Sequence, residues 1–262
     1  MKSISFIYDN QSSEDYGLYI GSLNAKSTSN SSASTNSEIV YDTVNNRNEV
    51  FIYGVETTEK LLEFDIELFF EDYENVDKSD ILYIDQWLFS NKFPKKLVFC
   101  QEDMSTYYYN AIFKKNEILY HNNRIYGFKC QIQCDSPYAY ASEKELTIPI
   151  TNDKAIARIN NISSGLSYVY PSIQFVCNKE GGQVTIKNKS DENRTLILSD
   201  LKNNETITID KWFQITSSYG LKRLGNCNKQ WLRLRDGINY IEVSGDTTRI
   251  TLRYQFMQGI GS

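Results

Sequence analysis

The residue type that most often performs acid–base chemistry occurs once in this chain, as His121. It is followed by Asn122-Asn123-Arg124, which predicts a hairpin turn. No GxSxG motif supplies a nucleophile that a histidine would activate. One histidine in a turn does not predict a Ser-His-Asp arrangement, and we expect no catalytic residues.

Five cysteines, an odd number without a CxxC pair, are the next candidates for chemistry: Cys100, Cys130, Cys134, Cys177 and Cys227. Around Cys130 and Cys134 apolar and polar residues alternate, which predicts a strand with both cysteines on its apolar face. Four residues of strand separate them by roughly 13 Å, whereas a disulfide needs Cα atoms within about 7 Å. We expect small core residues rather than a disulfide or a metal site.

Signatures of metal and phosphate sites are absent: the sequence contains no HExxH, no calcium loop of alternating acids and no glycine-rich phosphate loop. A row of acids does occur, because Glu63, Asp65, Glu67 and Glu71 alternate with apolar residues. That pattern is typical of a strand with one buried and one solvated face. A glycosidase-like carboxylate pair stays open, since its spacing is spatial. We expect neither a metal nor a cofactor.

The elements that hold these residues belong to a chain of 262 residues, enough for one large domain or two ordinary ones. Its net charge of −5 argues against sequence-independent nucleic-acid binding, which needs clustered positive charge. No run of about 18 apolar residues predicts a transmembrane helix, so we expect no membrane insertion. The first residues lack the apolar stretch of a signal peptide, and we expect folding in a cytosol.

Alternation with period two dominates and predicts a mainly β protein with some α. One helix is predicted within residues 76–94, with Asp77 or Ser79 as its N-cap and Pro94 as its end. Its apolar positions are Ile81, Leu82, Ile84, Trp87 and Leu88. A helix packed on a sheet or barrel predicts an α+β first domain.

Between the opening strand and the acidic strand, residues 27–38 contain no aromatic residue and no aliphatic residue larger than alanine, which predicts a mobile loop. A hairpin is predicted over 39–53 with its turn at 45–48. Its two runs contain Ile39, Val40, Tyr41, Val50, Phe51, Ile52 and Tyr53. Such a hairpin either folds back on its own domain or pairs with a neighbour, and the sequence leaves both open.

A domain boundary is predicted at Pro137, because proline cannot continue a ladder. The expected domains are residues 1–136 and 146–262, joined by a linker over 137–145. Short strands between turn-rich segments predict a sandwich or barrel in the second domain.

Aromatic residues in the second domain suggest a binding role. Trp212, Phe213 and Tyr219 lie in predicted loops or strand ends and form a candidate platform for sugar. Trp231 lies close to leucines in the sequence and is more typical of a sandwich core.

Six segments, in this order, resemble the distal tail proteins of long, non-contractile-tailed (siphovirus-type) bacteriophages. They are FIYDNQSSEDYGLYI, DQWLFSNKFPKKLVFCQEDMSTYYYNAIF, GFKCQIQCDSPYAYA, YPSIQFV, NNETITID and WLRLRDGINYIEVSGDTTRITLRYQF. DSPYAYA is the most specific, because it falls where that family passes from its first to its second domain.

The resemblance implies a non-enzymatic structural hub: a first domain assembled as a hexameric ring around the tail lumen, and a galectin-like or carbohydrate-binding-module-like β-sandwich facing outward. The hub would join the tail tube to the tail-tip and host-adsorption apparatus of the virion, after synthesis in the bacterial host cytoplasm. Implied partners are the other copies of the homo-hexamer, the tail tube protein and a tail-tip protein (tail-associated lysin or fibre). A receptor-binding protein or host-wall carbohydrate is a further partner that the resemblance implies.

In such families the first domain sends an arm to its neighbour, and the hairpin over 39–53 is the candidate here. The row of acids is a candidate lining of the lumen, where negative charge would keep DNA from adhering. The alternative function is that of a carbohydrate-binding module that helps attach the tail to the host cell surface.

Overall fold

The computed structural model describes residues 5–25, 35–43, 50–59, 61–101, 105–151, 153–164 and 168–259. The chain divides into two units, one formed by Met1–Tyr140 with Gln258–Ser262 and the other by Ala141–Met257. The sequence did not predict that residues after 257 belong with the first unit. Most of the expected linker is also strand, since Ala139–Ala141 and Lys144–Pro149 are both extended.

The first unit is an antiparallel sheet with a short 3-10 helix (Ser13–Tyr16) and one helical segment that begins at Lys78. Its strands are β1 (Phe6–Tyr8), β2 (Gln11–Ser12), β3 (Leu18–Ala25), β4 (Thr35–Thr43), β5 (Val50–Glu59), β6 (Glu63–Phe70), β7 (Lys95–Phe99), β8 (Tyr107–His121) and β9 (Arg124–Cys134). The sheet order is β2-β1-β7-β8-β9-β6-β3, and β4 and β5 pair separately with each other. Strand β10 (Ala139–Ala141) spans the boundary between the units.

The alternation predicted for β6 and β9 is confirmed. Along β6 every second side chain is buried, and the acids lie on the opposite face. Along β9 the free thiols of Cys130 and Cys134 are buried in the core, and burial raises the pKa of each to about 12. Both cysteines are therefore protonated core residues, as the sequence predicted.

The predicted helix consists of two parts. Helix α1 (Lys78–Ile84) begins with a capping box between Asp77 and Asp80, and the chain then winds as a π-helical turn over Asp85–Phe89. Trp87 and Leu88 are buried as predicted, but Leu82 is 59% exposed. At about 100° per residue, Leu82 lies roughly 200° around the helix from the buried Ile84, so both cannot face the core.

Contacts at both ends of the π-helical turn fix it to the sheet. The indole N–H of Trp87 donates to the backbone oxygen of Tyr8 over 2.9 Å. Lys115 on β8 forms an ion pair with Asp85 over 2.5 Å. Its ammonium group also lies 5.2 Å from the ring centroid of Phe89. These contacts couple the helical segment to β1 and β8.

The second unit is a β-sandwich. Its strands are β11 (Lys144–Pro149), β12 (Lys154–Asn161), β13 (Ser172–Cys177), β14 (Gly182–Asn188), β15 (Arg194–Leu201), β16 (Thr206–Ile209), β17 (Ile215–Ser217), β18 (Gly237–Gly245) and β19 (Thr247–Tyr254), and β20 (Met257–Gln258) ends at the boundary. One sheet has the order β11-β19-β13-β16-β17 and the other β12-β18-β14-β15. Both contribute to one apolar core, which includes Phe175, Ile186 and Leu252.

A buried ion pair connects the segment after β17 to this sandwich. Glu205 is 0% and Arg223 5% exposed, and the guanidinium donates twice to the carboxylate, over 2.8 and 2.6 Å. Ser217 and the backbone N–H of Lys202 also donate to Glu205, while Arg223 donates to the backbone oxygen of Asp200. The buried charges are therefore compensated by hydrogen bonds on both sides.

Glu205→Gln is expected to lower the free energy of unfolding by about 3 kcal/mol, because Arg223 would keep a buried charge without its carboxylate. Urea unfolding followed by tryptophan fluorescence measures the change. The matched control is Glu180→Gln, which breaks the exposed pair with Lys202 and should leave the unfolding midpoint in place. Equal loss in both variants would contradict a special role for the buried pair.

The pair of Glu205 and Arg223 also makes the stability of the protein depend on pH. Burial alone would raise the pKa of Glu205, but the hydrogen bonds from Arg223, Lys202 and Ser217 outweigh it and lower the pKa to about 2. In the unfolded chain a glutamate titrates at about 4.3. The stabilisation is present above that value and is lost as the pH falls from about 5 towards 2. The difference in stability between wild type and Glu205→Gln should shrink over this range; a constant difference would show that the carboxylate charge is not its source.

Candidate assembly surfaces

The hairpin of β4 and β5, here called the arm, stands apart from the main sheet. Its strands pair from Thr35 opposite Glu59 to Thr43 opposite Val50, and within the described residues neither strand pairs with a third. Thr35–Glu38 are therefore strand and not loop, which corrects that part of the prediction over 27–38. Residues 26–34 and the predicted turn at 45–48 lie outside the described residues.

Large apolar side chains of the arm are exposed. Exposed fractions lie between 38% and 65% for Val40, Tyr41, Val50, Ile52 and Tyr53. The side chains of Ile39 and Phe51 lie outside the described part of the chain. A two-stranded hairpin is at best marginally stable by itself in water. Exposed apolar residues on such an element indicate a surface that another protein covers.

The acids of β6 lie on the outer face of the main sheet, among polar partners. Glu63 accepts hydrogen bonds from Gln131 and Gln133 on β9, over 3.3 and 3.0 Å. Glu67 lies opposite Lys129, which pairs with Glu117 over 3.3 Å. Asp65 is half-buried on the same face, and Glu71 is exposed just beyond the strand. The face is acidic along β6 and mixed in charge along β9.

The three aromatic residues of the candidate sugar platform do not lie together. Trp212 is 77% exposed in the turn between β16 and β17, where Asp210 accepts hydrogen bonds from the backbone of Trp212 and Gln214. Phe213 instead stacks on Trp231, with ring centroids 5.1 Å apart. Tyr219 lies at the opposite end of this hairpin, where its hydroxyl donates to the backbone of Asn203.

His121 lies at the end of β8, beside the two-residue turn formed by Asn122 and Asn123, both with positive φ. Its ring meets the edges of Tyr73 and Tyr126. In the described ranges no group of three His, Cys, Asp or Glu residues is placed to hold a metal ion. No helix among those residues is long and apolar enough to cross a membrane.

Sequence reasoning missed the pair of Glu205 and Arg223. The two residues are 18 positions apart on either side of a hairpin, and no local pattern connects them. One signal was available in the sequence. Glu205 comes just before β16, at a position where the alternation of that strand predicts an apolar residue.

The structure combines two antiparallel β units with an arm whose large apolar side chains are exposed. Two sequence families match: one described as phage tail protein N-terminal domain, over residues 1–136, and one described as phage tail C-terminal domain, over residues 138–254. The chain belongs to this phage tail protein family. It is a component of the virion tail.

Among solved structures, the fold is similar to that of the Dit (gp 19.1) protein of phage SPP1. The TM-score is 0.69 at 14% identity, over 97% of this chain and 100% of the other. A chain of the phage P2 baseplate in its activated, calcium-bound conformation aligns with a TM-score of 0.48 at 14% identity, over 98% of each chain. No curated protein sequence matches significantly. The predicted resemblance to distal tail proteins is confirmed at the level of the fold.

Proposed function

We propose that this protein is the hub of a phage tail tip, in which six copies form a ring that joins the tail tube to the tail-tip and adsorption apparatus. The observation that carries the proposal is the arm, which exposes Tyr41, Ile52 and Tyr53 on an element without a core of its own. The fold supports it, since the SPP1 protein of similar structure is described as a paradigm of the hub adsorption apparatus in phages that infect Gram-positive hosts.

A ring follows from the kind of contact that the arm makes. A closed ring requires heterologous contacts, in which one patch meets a different patch on the next subunit. A hairpin donated to a neighbour gives such a contact a direction and buries the exposed residues of the arm. The two faces of the ring would then meet the tail tube protein and the tail-tip protein.

Replacing Tyr41, Ile52 and Tyr53 together by serine is expected to give a folded protein that does not form rings, because the apolar contact with the neighbour is lost. Light scattering and negative-stain microscopy measure assembly, and thermal unfolding checks the fold. The matched control is Phe93→Ser, which removes an apolar side chain that is 75% exposed outside the arm. Rings formed normally by the triple variant would refute the arm as the ring contact.

The row of acids supports a second element of the proposal, a lumen lined by Glu63, Asp65, Glu67 and Glu71. These residues share the outer face of one strand, or follow it directly, so a single orientation of the sheet presents all of them. Negative charge there would repel passing DNA. A density map of the assembled ring tests whether the acids line the lumen. We expect β6 to face the channel, and β6 on the outer rim would refute the proposal.

The second unit supports an additional role in sugar binding, carried by the exposed ring of Trp212. We infer a galectin-like or carbohydrate-binding-module-like sandwich from its two antiparallel sheets. Trp212→Ala is expected to abolish binding on an array of host-wall glycans while rings persist, because the exposed ring of Trp212 is the surface on which a sugar would stack. Tyr219→Ala is the control at the opposite end of the same hairpin. Unchanged glycan binding by Trp212→Ala would refute the proposed sugar site at this residue.

A further inference from the structure

Two segments of the second unit, residues 190–194 and 231–235, are joined by a series of arginine contacts. Arg194 donates from Nε to the backbone oxygen of Trp231 over 2.7 Å. Arg233 donates to both carboxylate oxygens of Asp191 over 2.7 and 3.1 Å. Arg235 donates from Nη1 to the backbone oxygen of Ser190 over 2.8 Å. We call this surface the arginine ledge, formed by Arg194, Arg233 and Arg235 with the neighbouring rings of Tyr168 and Trp231.

Two of these arginines have no carboxylate partner among the residues described. Asp191 forms an ion pair with Arg233. Arg194 and Arg235 each donate one N–H to a backbone oxygen and form no ion pair with the described residues. Glu192 and Asp236, in the adjoining turns, do not pair with them. Each guanidinium is therefore held in place by a neutral acceptor, with its remaining N–H groups available. A positioned fork of this kind suits bidentate binding of a carboxylate.

One face of each aromatic ring of the ledge is already covered. Phe213 and Trp231 stack at an interplanar angle of 13°, and Tyr170 meets Phe213 edge-on. The guanidinium of Arg233 covers Tyr168 at 3.7 Å from the ring centroid. Sugars and nucleotide bases bind aromatic residues by stacking on an open ring face. The ledge has part of this ring surface covered and combines its rings with guanidinium groups, the composition of protein–protein contact sites rich in Trp, Tyr and Arg.

The distribution of charge points to an acidic partner. Residues 1–140 contain 12 Lys and Arg against 21 Asp and Glu, whereas residues 141–262 contain 16 against 12. The second unit is thus the basic part of an acidic chain. Trp231, Arg233 and Arg235 share one side of an extended segment whose alternate residues, Leu232 and Leu234, are buried. Over this segment, from 231 to 235, the backbone spans roughly 13 Å, a length that an extended peptide of four residues matches.

We propose that the arginine ledge docks an acidic, extended segment of a partner protein, whose carboxylates bind Arg194 and Arg235. The partner's apolar side chains pack on the exposed edge of Tyr168, which is 40% exposed. This surface is distinct from the arm, which belongs to the other unit. Its role does not depend on ring formation.

The test is binding of a fluorescein-labelled peptide of alternating glutamate and valine to the full chain, measured by fluorescence anisotropy. Arg194→Gln with Arg235→Gln is expected to weaken binding at least tenfold, because two bidentate contacts are lost. The control, Arg158→Gln with Arg249→Gln, removes the same charge from exposed positions on β12 and β19 and should change affinity less than about twofold. Light scattering should show unchanged assembly in both, so the outcome is separate from that of the ring.

Replacing Arg194 and Arg235 by lysine keeps the charge but removes the planar fork, and should weaken binding by an intermediate factor. This variant also provides a measurement if the glutamine variant unfolds. Three results would overturn the proposal: no peptide binding by the wild type, equal loss in the ledge and control variants, or single-stranded DNA or dextran sulfate of matched charge binding as tightly as the peptide.

Discussion

The burial of one face of each strand is the constraint on which the rest of this structure depends. Along β6 the alternation of apolar and acidic residues places every second side chain in the core and every acid on the opposite face. The same rule makes Cys130 and Cys134 core residues. In the isolated pair β4 and β5 neither face packs on a core of its own among the described residues, and large apolar residues remain exposed. The arm is therefore an element whose exposed apolar surface is suited to contact with another molecule.

Much of this was predictable, because alternation is a local signal. The strands β6 and β9, a helix beginning at one of the two N-cap candidates, Asp77, and the mainly β class followed from spacing alone. The failures concern contacts across the fold. Alternation does not show that residues after 257 belong with the first unit, and composition at 35–38 gave no sign of a strand whose pairing is set by β5. Composition also did not show how the candidate sugar-binding residues are arranged: the hairpin of β16 and β17 separates Trp212 from Tyr219, although they are seven positions apart in sequence.

Charged groups in the second unit fall into two kinds with opposite physical roles. Glu205 and Arg223 are buried and satisfy one another, so their charges serve the fold and are unavailable to any partner. Arg194 and Arg235 donate to backbone oxygens, which fix the position of each guanidinium group without neutralising its charge. Desolvation explains the difference: a buried charge requires a counter-charge, whereas a charge at the rim keeps part of its hydration and can exchange it for a ligand.

The core thiols have a consequence for the lifetime of the particle. A virion outside the cell has no metabolism with which to reduce a disulfide or replace a damaged subunit. Thiolates are the species that oxidise and exchange, and burial keeps Cys130 and Cys134 protonated at any physiological pH. Cys177 and Cys227 are also buried, and burial raises the pKa of both. Among the cysteines of this protein, oxidation would therefore begin at Cys100, which is exposed, and the four buried thiols would be protected.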